Sequence, residues 1–203
     1  MEIFLVRHGE TGGNIAHRHQ AESTPLSMKG RQQAEEVAKV ICEYNPTHVV
    51  TSSLVRAVET ARVIAETCDI IPDTNQHLVE LSRPEHMYGQ FHSSLKSFLF
   101  YAQWYFGIEK KSKNGESYSE LRERFELAKE SLTQYPNDAR VVVVSHSVFI
   151  NLFLAHLCSK KVLNPFKALI TFRGVVSMPN THLVKVLHDN NAAPNTCAWS
   201  VIK

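Results

Sequence analysis

The stretch Leu5-Val6-Arg7-His8-Gly9-Glu10-Thr11 lies near the N-terminus and begins within a short apolar run. The run from Met1 to Val6 is rich in β-forming residues, so it predicts a buried strand that ends at a cation, an imidazole and a glycine. Ligands of α/β proteins collect at the carboxyl ends of strands, where a glycine lets the backbone approach closely. The stretch therefore indicates an anion site, although a charged turn at the sheet edge would also account for it.

A second apolar run ends in the same way. His48-Val49-Val50-Thr51-Ser52 predicts another buried strand, and the helical pattern that follows places Arg56 in the first turn of a helix. An arginine there opposes the helix dipole, which favours anions near the N-terminus. Two readings stay open, since Arg56 could face a bound anion or could pair with Glu59 or Glu66 on its own helix.

The most uniform strand pattern is Val141-Val142-Val143-Val144, which ends in Ser145-His146-Ser147 before another helical pattern. The carboxyl ends of parallel strands lie side by side, so the three strand ends should bring their cations and imidazoles together. Two arginines and two histidines around one point suit a tetrahedral dianion, because the guanidinium fork matches phosphate oxygens. The residues expected to converge are Arg7, His8, Arg56 and His146.

The alternation of strand and helix patterns predicts an α/β fold, a three-layer α/β/α sandwich with a mostly parallel sheet. Ile70-Ile71 reads as a short third strand, and 168–172, 183–187 and 199–202 alternate like strands at the edge, one of them antiparallel. Residues 1–203 are expected to form one domain. An aromatic helical insertion over 83–116 is predicted to cover the site as a cap or lid, although it could pack against the sheet or a partner instead.

The chain resembles the histidine phosphatase superfamily, also called the phosphoglycerate-mutase-like family. The opening stretch with Asn14 carries the resemblance, and the other matching segments follow in family order across nearly the whole chain. They are Leu26-Ser27 with Lys29-Gly30-Arg31 and Gln33-Ala34, Ser52-Ser53-Leu54 with Arg56-Ala57 and Glu59-Thr60-Ala61, Leu78-Val79-Glu80, Gly115-Glu116-Ser117, and Val144-Ser145-His146-Ser147.

The resemblance implies that His8 is a nucleophile that becomes a phosphohistidine, with Arg7, Arg56 and His146 forming its phosphate pocket. It implies no metal and no cofactor. Glu80 matches the carboxyl group that protonates the leaving oxygen, and Glu85 is the alternative for that role. Further substrate contacts are expected from Glu10, Thr11, Asn14 and Ser147.

Two branches of the family are open on this evidence. Mutases have Glu-Arg-His-Tyr-Gly after the acid and then a basic, proline-rich segment, whereas Leu81-Ser82-Arg83-Pro84 and an aromatic segment follow Glu80 here. We therefore expect a metal-independent phosphomonoester hydrolase acting on a small phosphorylated substrate. The alternatives are a cofactor-dependent phosphoglycerate mutase, a phosphohistidine protein phosphatase, or a phosphate-sensing module without activity.

Composition and charge argue against several other classes of function. The formal net charge of +2 and pI of 8.3 are too mild for a nucleic-acid footprint. The basic run Lys110-Lys111-Ser112-Lys113 reads as a solvated loop, and His17-Arg18-His19 reads as an exposed polar loop rather than a metal site. No apolar run is long enough for a membrane span, and a homodimer is compatible with the sequence.

The four cysteines, at positions 42, 68, 158 and 197, are far apart and form neither a CxxC pair nor a disulfide framework. Reduced thiols in the cytoplasm are the expectation that follows.

Overall fold

The computed structural model describes residues 1–108, 115–193 and 195–202. Its centre is one six-stranded sheet with the order β3-β2-β4-β1-β5-β6. Strands β1 to β4 are mutually parallel, β5 runs antiparallel to β1, and β6 is antiparallel to β5. The strands are β1 Glu2–Arg7, β2 His48–Thr51, β3 Pro72–Thr74, β4 Arg140–Ser145, β5 Leu183–His188 and β6 Trp199–Ile202.

Helices cover both faces of the sheet, which confirms the predicted α/β/α sandwich. Helices α2 and α3 pack on one face, and α4, α5, α6 and α7 pack on the other. Short 3-10 turns occupy Gln76–Leu78 and Glu85–Met87. The helices are α1 Gly12–Ile15, α2 Met28–Glu43, α3 Val55–Thr67, α4 Leu95–Phe106, α5 Tyr118–Leu132, α6 Ser147–Ala155 and α7 Pro165–Ser177.

Strand β1 explains why its sequence is a continuous apolar run. Ile3 and Leu5 join the core under α4 to α7, whereas Phe4 and Val6 join the core under α2 and α3. Side chains alternate between the faces of a strand, so a sheet covered on both sides needs apolar residues at every position. Burying each such side chain contributes roughly 1.5–3 kcal/mol.

The C-terminal part differs from the sequence prediction. Residues 168–172, predicted as a strand, lie inside helix α7. The Asn164 side chain accepts a hydrogen bond from Lys167 N at 2.8 Å, and Pro165 occupies the first helical position, where its missing N–H costs nothing. In this helix Ala168 is buried, whereas Leu169 is 62% exposed.

The short third strand is also displaced. Ile71 is 89% exposed and lies outside any strand, while β3 begins at Pro72, the residue that pairs with Val49. Proline is tolerated here because β3 is an edge strand, where its missing N–H removes no ladder bond.

The segment 83–116 contributes to the core as well as to the surface. Phe100 and Trp104 of α4 are buried, whereas Leu95 and Phe98 are exposed. Its role as a cap or lid stays a prediction, as does the assignment of 1–203 to one domain. The basic run 110–113 lies outside the described residues.

All four cysteines are paired in disulfides, which corrects the expectation of reduced thiols. Cys42–Cys68 joins the last turn of α2 to the residue after α3, and Cys158–Cys197 joins the segment after α6 to the approach to β6. The partners are 26 and 39 residues apart, so only the tertiary fold brings them together. Disulfides are typical of oxidising compartments, and the cytoplasmic location stays a prediction.

In the described ranges, no helix is both long and apolar enough to cross a bilayer.

Thiol titration tests the disulfides. The denatured protein should react with a thiol reagent only after reduction, when all four cysteines of the sequence become reactive. Each bridge closes a long loop, so replacing Cys42 and Cys68 together by serine, or Cys158 and Cys197 together, should lower the free energy of unfolding by about 3 kcal/mol. Four reactive thiols without reductant would contradict the pairing.

Candidate active site

The ends of three adjacent strands meet at the candidate site. Strand β4 lies between β1 and β2, and Arg7 at the end of β1 is in register with Ser145 at the end of β4. His8 N donates to Ser145 O at 3.0 Å, and the ring centroids of His8 and His146 are 5.1 Å apart. Topology therefore places the two imidazoles side by side although they are far apart in sequence.

His8 is held in one tautomer. Its Nδ1 lies 2.7 Å from Gly9 O, and since a carbonyl oxygen can only accept, Nδ1 carries the proton and Nε2 keeps its lone pair. The ring is buried, and burial lowers its pKa well below 6.5, with the charges of Arg56 and Arg7 acting in the same direction and the Gly9 hydrogen bond opposing them. His8 is therefore a neutral imidazole at neutral pH, which is the nucleophilic form.

The guanidinium groups of Arg7 and Arg56 lie near His8, and some of their N–H donors have no hydrogen-bond partner among the residues described. Arg7 Nη1 donates to Met178 O, and Arg56 Nη1 donates to Ala21 O at 3.1 Å. The Nε atoms of both arginines are buried and have no hydrogen-bond partner in the described parts of the chain. Burial lowers the pKa of Arg56 to about 10, with Glu80 opposing that shift, so the group remains a cation at neutral pH.

Arg56 does not pair with the acids of its own helix. Within the ranges described, its side chain is 4% exposed and no ion pair joins it to Glu59 or Glu66. Glu59 instead accepts a hydrogen bond from Leu26 N at 2.8 Å and lies 3.9 Å from Arg31. The pairing of Arg56 with Glu59 or Glu66 is therefore not observed in the described residues, and its role at an anion site stays a prediction.

His146 completes the group of four. Its Nε2 lies 2.7 Å from Ser52 Oγ at the end of β2, and its buried Nδ1 has no hydrogen-bond partner among the residues described. Burial lowers the pKa of this ring well below 6.5, and the positive charge of Arg56 is the next cause. The ring therefore offers a neutral nitrogen to a group bound between the strand ends.

Glu80 lies at the N-terminus of α6. Its Oε1 accepts from Leu81 N at 3.0 Å and Phe149 N at 3.1 Å, and its Oε2 lies 3.4 Å from Val148 N. These backbone donors fix the orientation of the carboxyl group and suit its charge. Together with Arg56, Glu80 lines a cavity of about 120 Å³.

Glu85, the alternative acid, is placed differently. It begins the 3-10 turn Glu85–Met87, is exposed, and does not line that cavity. The geometry thus favours Glu80 over Glu85 as the acid next to a bound phosphoryl group.

The loop that carries His8 rests directly on helix α2. A Cβ atom added to Gly9 would lie 2.4 Å from Gly30 O, and one added to Gly30 would lie 2.0 Å from Glu10 O. Both distances are far inside van der Waals contact, so each glycine is required by the close approach of two backbones. Ser27 caps α2 by accepting from Gly30 N at 3.0 Å, and Ser27 N donates to Glu10 O at 2.8 Å.

Glu10 and Thr11 are engaged in building this loop. The Glu10 carboxylate lies 3.2 Å from Lys29 Nζ and accepts from Ser27 Oγ at 3.1 Å. Thr11 is fully buried, caps α1, and donates from Oγ1 to Gln20 Oε1 at 2.6 Å. Their predicted contacts with substrate remain predictions.

Asn14 and Ser147 are the other two predicted contacts. Asn14 accepts hydrogen bonds at Oδ1 from Thr11 and from Asn180, and its Nδ2 donates to none of the described residues. Ser147 donates from Oγ to Val175 O at 2.6 Å, which ties α6 to α7. Asn14 therefore keeps two donors for a ligand, whereas the Ser147 proton is already used.

Three further residues lie near the site, and the sequence assigned no role to them. Asn180 donates from Nδ2 to His8 O and to Asn14 Oδ1, both at 3.1 Å. Thr60 accepts from Gly9 N at 3.1 Å and donates to Arg56 O at 2.8 Å. Arg83 lines the cavity with Arg56 and Glu80. The Glu59-Thr60 match could have indicated Thr60, but no pattern in the sequence marks Asn180.

His19 also differs from its prediction. The exposed polar loop was expected to carry it, but the ring is 5% exposed and its Nε2 lies 3.0 Å from Ser97 Oγ of α4. Its ring centroid lies 4.6 Å from that of His92, and burial lowers its pKa to about 3. The loop after α1 is therefore a docking surface for the inserted segment.

Comparison with known proteins identifies the family. The sequence profile described as "Histidine phosphatase superfamily (branch 1)" matches residues 3–191. The chain belongs to the histidine phosphatase superfamily. This is an enzyme family with phosphatase and mutase members, and the resemblance seen in the motifs is confirmed.

Curated relatives and solved structures agree with this family. The chain is 34% identical over 163 residues to a probable phosphoglycerate mutase GpmB of Serratia proteamaculans, covering 76% of this chain and 74% of the relative. It is 33% identical to GpmB of Escherichia coli over 156 residues, covering 73% and 70%. A mycobacterial glucosyl-3-phosphoglycerate phosphatase, solved with VO3, has a TM-score of 0.76 at 23% identity, covering 98% and 96%. That structural likeness establishes the fold of this histidine phosphatase superfamily member.

The close contact at Gly30 yields a test of the loop's support. Alanine is the better helix former by about 1 kcal/mol, so Gly30→Ala would stabilise an unobstructed helix. Here the new Cβ would strike Glu10 O, and overpacking of this kind costs about 1–3 kcal/mol. We expect Gly30→Ala to lower the free energy of unfolding in a denaturant titration and to weaken inorganic phosphate binding in calorimetry.

Gly12→Ala is the matched control, because a Cβ at Gly12 meets nothing within 4 Å. It should not lower the free energy of unfolding, and it should leave phosphate binding unchanged. If the two variants are equally stable and bind phosphate equally, the account of Gly30 is wrong.

Proposed function

We propose that the protein is a metal-independent phosphomonoester hydrolase that works through a phosphohistidine on His8. The observation that carries the proposal is the neutral, oriented imidazole of His8 between two buried guanidinium groups whose Nε atoms lack hydrogen-bond partners in the described residues. A phosphate dianion would offset both positive charges and accept from the donors. An imidazole lone pair at the same place would attack its phosphorus.

The first chemical step transfers the phosphoryl group to the protein. His8 Nε2 attacks phosphorus, the new P–N bond forms, and the P–O bond to the leaving alcohol breaks. Arg7 and Arg56 stabilise the charge on the non-bridging oxygens, and His146 adds a hydrogen bond from Nδ1–H when Ser52 Oγ donates to its Nε2. The carboxyl group of Glu80 gives a proton to the departing oxygen.

The second step restores the enzyme. Water enters the position that the alcohol has left, and the Glu80 carboxylate takes its proton. The oxygen attacks phosphorus as the P–N bond breaks, inorganic phosphate is released, and His8 recovers its lone pair. Glu80 regains the proton that it donated, so the cycle balances with water as the only co-substrate.

Phosphoglycerate mutase is the second candidate, because the curated relatives at 33–34% identity are named probable phosphoglycerate mutases. Hydrolysis is favoured by the residues after Glu80, where Leu81-Ser82-Arg83-Pro84 stand in place of the Glu-Arg-His-Tyr-Gly of the mutase pattern. Dependence on a bisphosphoglycerate primer, with little net release of phosphate, would support the mutase.

The test is hydrolysis of an aryl phosphate in the presence of a chelator. The unaltered protein should release phosphate, and His8→Ala should lower kcat by at least about 10³-fold because the covalent route is lost. His48→Ala is a control for loss of an imidazole, since His48 lies at the opposite end of β2 from Ser52. Equal turnover by His8→Ala and the unaltered protein would contradict the proposal.

A second prediction separates Glu80 from Glu85. A general acid contributes about 10²–10⁴-fold when the leaving group needs a proton. Glu80→Gln should therefore lower kcat for an alkyl phosphate by that factor and affect p-nitrophenyl phosphate much less, because nitrophenolate can depart without a proton. Glu85→Gln should change neither rate by more than about twofold. The reverse pattern would assign the acid role to Glu85.

A further inference from the structure

We propose that Arg83 forms a second anion subsite beside Glu80, so that the preferred substrates are phosphomonoesters whose leaving alcohol carries another negatively charged group. The inference rests on the proposed hydrolase function and deepens it by naming the substrate class. In the sequence, Arg83 is marked only as part of the departure from the mutase pattern.

The guanidinium group of Arg83 is buried but only partly used. The residue is 9% exposed; its Nε donates to Tyr101 Oη at 2.8 Å, and its Nη1 lies a long 3.4 Å from Leu81 O. Across the described part of the chain, no carboxylate lies within 4.0 Å of it. A buried cation without a carboxylate partner is costly, so its remaining donors suit an anionic ligand.

The position of Arg83 puts that ligand on the leaving-group side. The cavity of about 120 Å³ is lined by Arg56, Glu80, Arg83 and Tyr88, whereas His8 is not among its lining residues. A phosphoryl group held by His8 and Arg56 would therefore face the cavity with its leaving oxygen next to Glu80. The rest of the alcohol would extend between Glu80 and Arg83.

The charges around the cavity favour two anionic groups over one. A phosphate dianion offsets the charges of Arg7 and Arg56. Glu80 raises the pKa of Arg83 and so offsets part of its charge, but no salt bridge joins the two in the described residues, and Glu80 accepts from Leu81 N and Phe149 N. Glu22 also lines the cavity and opposes an anion, yet it is exposed and therefore screened by water. Arg83 remains as a buried cation for the second group.

A purely structural role makes a different prediction. Arg83 could serve only to hold Tyr101 and helix α4 in place through its Nε bond. Its loss would then impair all substrates to the same extent, whatever groups they carry. Comparison of substrates that differ by one anionic group separates the two roles.

The experiment compares phenyl phosphate with 3-carboxyphenyl phosphate and 1,3-phenylene bisphosphate. The unaltered protein should have a higher kcat/KM for one or both of the substituted esters, and the better one identifies a carboxylate or a phosphate as the second group. Arg83→Met should lower the ratio of kcat/KM for that ester to kcat/KM for phenyl phosphate by roughly 10- to 100-fold, the range for a hydrogen bond to a charged group. Arg83→Lys should recover part of the ratio, mainly through KM.

Tyr101→Phe is the matched control, because it removes the Tyr101 hydroxyl and leaves the Arg83 cation in place. Its ratio should stay within about twofold of the unaltered protein. If Arg83→Met does not fold, Arg83→Lys provides the test. A structural role would change its kcat/KM for all the esters equally and leave the ratio between them as in the unaltered protein. An unaltered protein without preference for either substituted ester, or an Arg83→Met ratio that does not fall, overturns the inference. Failure of the proposed function would look different, because no ester would be hydrolysed in a His8-dependent way.

Discussion

The structure depends on the burial of two guanidinium groups beside a neutral imidazole at the end of a parallel sheet. Removing Arg7 and Arg56 from water costs several kcal/mol for each charge, and the protein itself supplies Glu80 as the nearby carboxylate. Burial lowers the pKa of the His8 and His146 rings, and the same positive charge acts in the same direction, so both rings are neutral at neutral pH. One electrostatic constraint therefore creates both the anion site and the nucleophile that would act on the anion.

The fold supports this constraint through backbone contacts. The loop after β1 can reach its position only because Gly9 and Gly30 allow the two backbones to meet. Asn180 and Thr60 then bind the backbone of His8 and Gly9 from two further segments. The N-terminus of α6 holds Glu80 next to Arg56, so the acid, the cations and the imidazoles are each fixed by a different element. A geometry of this kind needs little rearrangement during reaction.

Much of this arrangement could be predicted from the sequence, because strand ends and helix caps are local signals. The apolar runs before Arg7 and His146 locate two strands, and the topology of a parallel sheet brings their ends together. The capping box at the start of α5 is a local signal of the same kind, since Ser117 is followed three residues later by Glu120. These features depend on residues within a few positions of one another.

The features that could not be predicted depend on tertiary contacts. Residues 168–172 were predicted as a strand, but they belong to α7. The cap at Asn164 and the burial of Ala168 are the contacts that stabilise the helix. The two disulfides join cysteines that are distant in sequence, and Asn180 reaches His8 across more than 170 positions. His19 is polar in a polar loop, and it is buried only because α4 packs over it.

The central claim is that His8 itself carries the phosphoryl group. Its most direct test is to quench the protein rapidly in alkali during turnover of a phosphomonoester and to map the modified residue by mass spectrometry. The account predicts an acid-labile phosphate on His8, formed and consumed at rates compatible with turnover. Steady turnover with no phosphate on His8 at any time, or with phosphate on another residue, would contradict it.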